Sequence, residues 1–209
     1  MRIYGACALA AALAFPVLAS AAEPATSPCA AAAASASDDY GIELTDLIEK
    51  VAKRSGKQFI VDPRVRAIVP KTGLDIEKVD YAKLLAILTI HQFAAYESNG
   101  IVKVLPDASA RQLPIPVTTE IPARTLDDEY VTVMITGKNM CMAQAVPVLR
   151  PLMPQAAHMA AYPPSNTLII SDHAANARRI VDIVERLDKA APAGQKCPPE
   201  YSSMKSDGR

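Results

Sequence analysis

Tyr162–Asp188 reads YPPSNTLIISDHAANARRIVDIVERLD, and this stretch decides the fold. Pro163, Pro164, Ser165 and Asn166 form a polar turn, and the short β-branched run Thr167 to Ser171 has the composition of a buried strand. With Met159 to Tyr162 on the other side of the turn, the stretch predicts a hairpin around PPSN. Asp172 stands where a helix cap is expected. Ala177, Ile180, Val184 and Leu187 then recur at helical spacing with Ile183 beside them, which gives one apolar face. Arg178, Arg179, Asp182, Glu185 and Arg186 fall on the opposite face, where Asp182 and Arg186 are spaced for an i,i+4 pair. The unit is patterned to pack, and none of its residues forms a catalytic pattern.

Upstream, Val131, Val133 and Ile135 alternate with polar neighbours and predict a half-buried strand. A helix is expected from Met142 to Leu152, with Pro147 kinking it or moving its start later. Residues 129–189 therefore read β-α-β-β-α, a KH-like order with both helices on one face of a small sheet. An earlier unit spans 40–106. Leu44, Leu47, Ile48 and Val51 mark a helix that Thr45 is placed to cap and Gly56 to stop. Gln58–Val61 and Ile68–Leu74 are extended pieces, and Pro70 in the second indicates a sheet edge or a bulge. Asp80 precedes a helix from Tyr81 to His91 with Leu84, Leu85 and Leu88 inside. Phe93–Glu97 and Ile101–Leu105 flank Asn99-Gly100, a hairpin signal because both turn positions need positive φ. Between the units, residues 107–128 contain Pro114, Pro116 and Pro122 and read as an extended linker. The fold class is α+β: two small domains, each a mixed β-sheet with two helices.

The flanks differ in kind. Arg2, the apolar run Ala6 to Ala19 and the Ala19-Ser20-Ala21 box predict a secretory signal peptide over 1–21, so the chain is expected in the periplasm after export. Residues 22–39 are Ala-, Ser- and Pro-rich and predict a disordered leader; residues 190–209 predict a flexible tail. No other long apolar run occurs, so no stable membrane insertion is expected. Of the 209 residues, 22 are Lys or Arg and 22 are Asp or Glu. That balance argues against a nucleic-acid partner, as does the absence of the GxxG loop through which KH domains bind RNA.

No cofactor is expected. The three histidines, His91, His158 and His173, lie on different elements without ligand spacing and read as surface or cap residues. Asp127, Asp128 and Glu129 read as a solvated linker end. Ser171-Asp172-His173 carries triad letters but is consecutive in sequence, whereas a triad converges from separate elements. Cys29, Cys141 and Cys197 remain after export; there is no CxxC, and their pairing is left open. With no metal, cofactor or catalytic set indicated, the chain reads as a non-enzyme, and sheet edges and helix faces remain as tools for protein contact.

LIEKVAKRSGKQFIVDPRVRAIV and YAKLLAILTIHQFAAYESNGIVKVLP in the first unit, and VPVLRPLMPQAAHMAAYPPSNTLIISDHAANARRIVDIVERLD in the second, resemble the N-terminal periplasmic domains of the secretin family. The similarity is nearest to type II secretion system secretins and covers Tyr40 to Asp188; VDPRV, NG, LRPL and SNTLIISD carry it. One departure is Pro70, which stands where the family keeps a regular strand. The resemblance implies protein transport by contact with an inner-membrane platform component, a secretin ring, an exoprotein substrate or other copies of the chain. Secretins continue into a pore domain, and nothing up to Arg209 resembles its strands, so the chain is expected not to build the channel alone. The interaction candidates are Ile101, Lys103 and Leu105 on an expected edge strand, and Arg178, Arg179, Asp182 and Arg186 on the last helix. The other readings are a periplasmic ligand-binding protein, a signalling adaptor like the short domain of some TonB-dependent receptors, and a degenerate secretin fragment.

Overall fold

The computed structural model describes residues 40–194, 197, 198 and 201. The expected signal peptide and leader, with Cys7 and Cys29, lie outside the described residues, as does most of the tail.

The chain opens with β1 (Gly41–Glu43), a strand too short to show in the sequence pattern, which runs directly into α1 (Leu44–Ser55). Glu43, not Thr45, is the N-cap residue, and it makes no side-chain capping bond. The first helical N–H is met instead from outside the helix, since Leu44 N donates to Ala67 O at 2.9 Å. Gly56 ends α1 in the left-handed region with φ 66°, as a C-terminal glycine should. Leu44, Leu47, Ile48 and Val51 are each at most 2% exposed, and burying such side chains is worth about 2 kcal/mol apiece before entropy is subtracted.

β2 (Gln58–Val61), β3 (Ile68–Pro70), α2 (Tyr81–Ile90), β4 (Phe93–Ser98) and β5 (Ile101–Pro106) follow. Asp80 caps α2 by accepting from Lys83 N at 2.8 Å, and Asn99 and Gly100 turn the β4–β5 hairpin at φ 54° and 76°. The strands divide into two sheets. β1 and β3 form an antiparallel ribbon, and β2, β5 and β4 form a three-stranded sheet in that order, with β2 parallel to β5. The expected Ile68–Leu74 strand stops at Pro70. The inner residues of these strands, including Val69, Phe93, Ala95, Val102 and Val104, close one core with α1 and α2.

The stretch 107–128 is more ordered than an extended linker. Asp107–Gln112 is a 3-10 helix, and β6 (Val117–Thr118) adds a parallel edge to β7 (Tyr130–Thr136). Ile121 packs on the second core and Leu126 on the first. Then come α3 (Met142–Leu149), β8 (His158–Tyr162), β9 (Thr167–His173) and α4 (Ala174–Ala190) in the expected order. Pro147 is tolerated inside α3, which gives way to a 3-10 turn at Arg150. The four strands order β6-β7-β9-β8. Their inner residues, Val133, Met159, Leu168 and Ile170, pack on Met142, Ala145 and Leu149 of α3 and Ala177, Ile180 and Val184 of α4. Leu187, expected in that stripe, is 42% exposed.

The loop 137–141 is tied from three directions. Asn166, in the left-handed region, accepts from Met142 N at 2.8 Å and donates to Gly137 O and Met140 O. Asp188 on α4 accepts from the backbone N–H groups of Lys138, Asn139 and Met140 at 2.8–3.1 Å. Cys141 is joined to Cys197 by a disulfide, which settles the pairing that the sequence left open. Cys197 Sγ lies 3.5 Å from Asn166 Oδ1; a disulfide sulfur carries no hydrogen, so this is a contact and not a hydrogen bond.

The Asp188 clamp makes stability sensitive to acid. Burial pushes its carboxyl upward, but the three backbone donors outweigh that and hold its pKa below the usual aspartate value. A group depressed in the folded state contributes stability above its unfolded pKa and loses it as pH falls through the folded one. Urea midpoints should therefore fall more between pH 6 and pH 3 in the native chain than in Asp188→Asn, whose amide does not titrate. Equal acid dependence in the two would remove the clamp from this account.

Candidate protein interface

The two sequence-derived surfaces fare differently from expectation. Ile101, Lys103 and Leu105 do not lie on an edge, because β5 is the central strand, bonded to β2 on one side and β4 on the other. Its backbone groups are already used, so it offers no ladder for strand addition. The three side chains instead sit half-buried on the outer face, opposite the core residues Val102 and Val104. Lys103 Nζ lies 5.3 Å from the Tyr96 ring centre, and Ile60 beside them is 56% exposed.

On α4, the four charged candidates form no single patch. Arg178 faces inward to the connector, donating to Asp127 at 2.7 Å, Thr125 O at 2.7 Å and Pro122 O at 3.2 Å. Arg179 donates to Leu152 O. Asp182 and Arg186 form the expected i,i+4 pair at 2.9 Å, with both side chains mostly exposed, and such a pair contributes only a few tenths of a kcal/mol. The acidic run before β7 is also structural: the carbonyls of Glu129 and Asp127 accept from Ala174 N and Ala175 N and so satisfy the start of α4. His173, not Asp172, is the N-cap residue.

The β1–β3 ribbon presents the open edge that β5 does not. Leu44 N donates to Ala67 O and Lys71 N to Tyr40 O. In an antiparallel pair this alternation makes Ile42 and Val69 a bonded pair, and directs the N–H groups of Gly41, Glu43 and Ile68 away from the ribbon partner. Pro70 falls at an outward position, where its missing N–H breaks no bond within the ribbon. Two shallow clefts flank the ribbon, and both are lined by Glu43 and Ile68. Ile68 is 47% exposed. A Cβ on Gly41 would stand 2.6 Å from both Ile68 Cγ2 and Val69 O, so only glycine lets the strands approach this closely. The sequence signal for the ribbon was Pro70, which marked an edge without showing its partner.

Reactive geometry is not assembled around the triad letters. Ser171 Oγ bonds Thr132 Oγ1 at 2.9 Å, and Asp172 accepts from Asn176 and His173 N. His173 is buried, not a surface residue, and its ring faces Asp107 and Tyr130. Among the described residues, no group of three or more His, Cys, Asp or Glu side chains is placed to hold a metal ion, and no helix is long and apolar enough to cross a membrane.

Comparison with known proteins places this geometry. Residues 40–104 match the family model for the GspD-like N0 domain, and residues 142–193 match that for the bacterial type II/III secretion system short domain. Secretin XcpQ of Pseudomonas aeruginosa is 31% identical over 150 residues, covering 70% of this chain and 22% of XcpQ. Secretin OutD of Dickeya dadantii is 32% identical over 169 residues, covering 78% of this chain and 24% of OutD. The chain thus spans less than a quarter of the length of these relatives. Among solved structures, the Klebsiella pneumoniae type II secretion outer membrane complex of PulD, PulS and the PulC HR domain matches with a TM-score of 0.62 and 27% identity. That match covers 80% of this chain and 30% of the other.

Proposed function

This chain belongs to the secretin family through its N-terminal domains, of the type II secretion kind, and from that premise we propose that it is a non-enzymatic periplasmic docking module that binds secretion components through the β1–β3 ribbon. Secretin N-terminal domains are structural parts of the secretion apparatus, lie in the periplasm and act by protein–protein contact. The observation that carries the proposal is the succession of both domain types in one chain, together with the superposition on a secretin solved in complex with the PulC HR domain. The corresponding domain of an inner-membrane platform component is the proposed first partner. Its strand would add to the open edge of β1, beside Gly41 and Glu43, and seat an apolar side chain against Ile68, whose Cγ2 lies over Gly41. The outer face of β5 and the exposed Asp182 and Arg186 are assigned a lesser role, against a neighbouring copy or a secretin ring.

Calorimetric titration of the purified chain with the HR-type domain of a type II secretion system tests this. The native chain should bind. Ile68→Glu should weaken binding at least ~10-fold, the size expected for a central apolar contact. Its unfolding midpoint should move little, because the position is half exposed. Gly41→Val should abolish binding by forcing the ribbon apart. Binding unaltered by both changes would dismiss the ribbon as the docking element, and no binding at hundreds of micromolar would dismiss the partner.

A further inference from the structure

Where the two cores meet, the contact is small and partly polar. Tyr130 of β7 packs with Ala94 of β4 and Ala110 of the 3-10 helix, flanked by Leu113 and Ile115. Beside this cluster His173, at the end of β9, faces Asp107, the first residue after β5. Their side chains are 9% and 14% exposed, and His173 Nε2 lies 3.5 Å from Asp107 Oδ1. Neither atom has a hydrogen-bond partner. The other ring nitrogen is committed, because His173 Nδ1 lies 3.0 Å from Asp128 O. A carbonyl only accepts, so Nδ1 carries a hydrogen. In the neutral imidazole Nε2 would then present a lone pair to a carboxylate, and two buried acceptors would face each other. A proton on Nε2 turns that repulsion into a charge-assisted contact.

We propose that His173 and Asp107 form a proton-dependent latch between the two cores, closed when the imidazole is protonated and loosened when it is neutral. The surroundings fit this role. Asp172 on β9 and the Asp128 carbonyl on the connector add negative potential, while Arg111 of the 3-10 helix lines the same cleft with Gln92 and Gln155. Tyr130 of β7 meets the ring edge-on at 5.4 Å between centres and donates its hydroxyl to Ser171 O. Arg150, which donates to Ala157 O, adds positive potential at Tyr130. Burial disfavours the imidazolium, but Asp107, the Asp128 carbonyl and Asp172 outweigh it, so His173 keeps its proton above the usual histidine range. A raised pKa means that the closed state is fully favoured below the undocked histidine value and is lost as pH rises through the docked one.

Two readouts on the intact chain test the latch. Side-chain NMR titration of the histidines, assigned with His91→Gln and His158→Gln, should place His173 above the usual histidine range. Small-angle scattering from pH 5.5 to 9 should show the radius of gyration rising as His173 loses its proton. Asp107→Asn is the discriminating variant: its amide donates to neutral Nε2, so compactness should persist to pH 9 and the pH dependence should vanish. A His173 midpoint at or below the ordinary range, a radius flat with pH in the native chain, or an Asp107→Asn profile that follows the native one would overturn the latch. So would a profile that changes with EDTA or added Zn²⁺, which would assign the paired lone pairs to a metal ion.

Discussion

Replacing both Cys141 and Cys197 with alanine should lower the unfolding free energy by about 4 kcal/mol. The figure follows from the 56-residue separation of the two cysteines, since cross-linking a loop of that size removes roughly this much chain entropy from the unfolded state. Cys141 is fully buried at the start of α3 and Cys197 lies beyond the end of α4, so the bond encloses both helices of the second unit and two of the four strands of its sheet, β8 and β9. The measurement is the urea midpoint of the double variant against the oxidised native chain, with reduction of the native chain as a second route to the same state. A loss below ~1 kcal/mol would mean that the bond fastens only the tail and leaves the packed region indifferent to it.

Asn166→Ala should cost about 3 kcal/mol. The side chain makes three bonds, one to Met142 N and two to the carbonyls of Gly137 and Met140, and each is worth about 1 kcal/mol when its partner is left unsatisfied. The residue also holds φ 51°, which alanine tolerates poorly. Asn166→Gly separates the two effects: it loses the same bonds but relieves the backbone, and should be less damaging by about 1 kcal/mol. Gly137 N donates to Asn166 O in either case. If alanine and glycine were equally harmful, the backbone conformation would contribute nothing. If neither moved the midpoint, the loop would be held by Asp188 and the disulfide alone. Because these groups share one loop, combined variants should not add.

Much of the architecture could be read from the residues because local signals and tertiary packing agree. The Leu44–Val51 and Ala177–Val184 stripes are buried where their spacing placed them, the Asn99-Gly100 and PPSN turns form, and α+β with secretin N-terminal domains is the result. What periodicity could not show is which strands pair. β5 looks like the free end of a hairpin with β4, but β2 pairs with it in parallel across some forty residues, and no local pattern encodes that. β1 has three residues and no alternation to detect. His173 read as a cap, which it is by position, but its burial depends on Asp107, 66 positions earlier, at a junction that belongs to neither unit's own pattern. Arg178 lay on the polar face of α4 as expected, yet the connector folds back onto it.

Amide hydrogen exchange of this chain, with and without the HR-type domain of a type II secretion system, tests the docking account most directly. The Gly41 and Glu43 amides, which point out of the open β1 edge, should slow by orders of magnitude in the complex, while those of β5 and of Ile68 on the opposite edge stay as they are. A complex that leaves the Gly41 and Glu43 amides unchanged and instead protects α4 would contradict it.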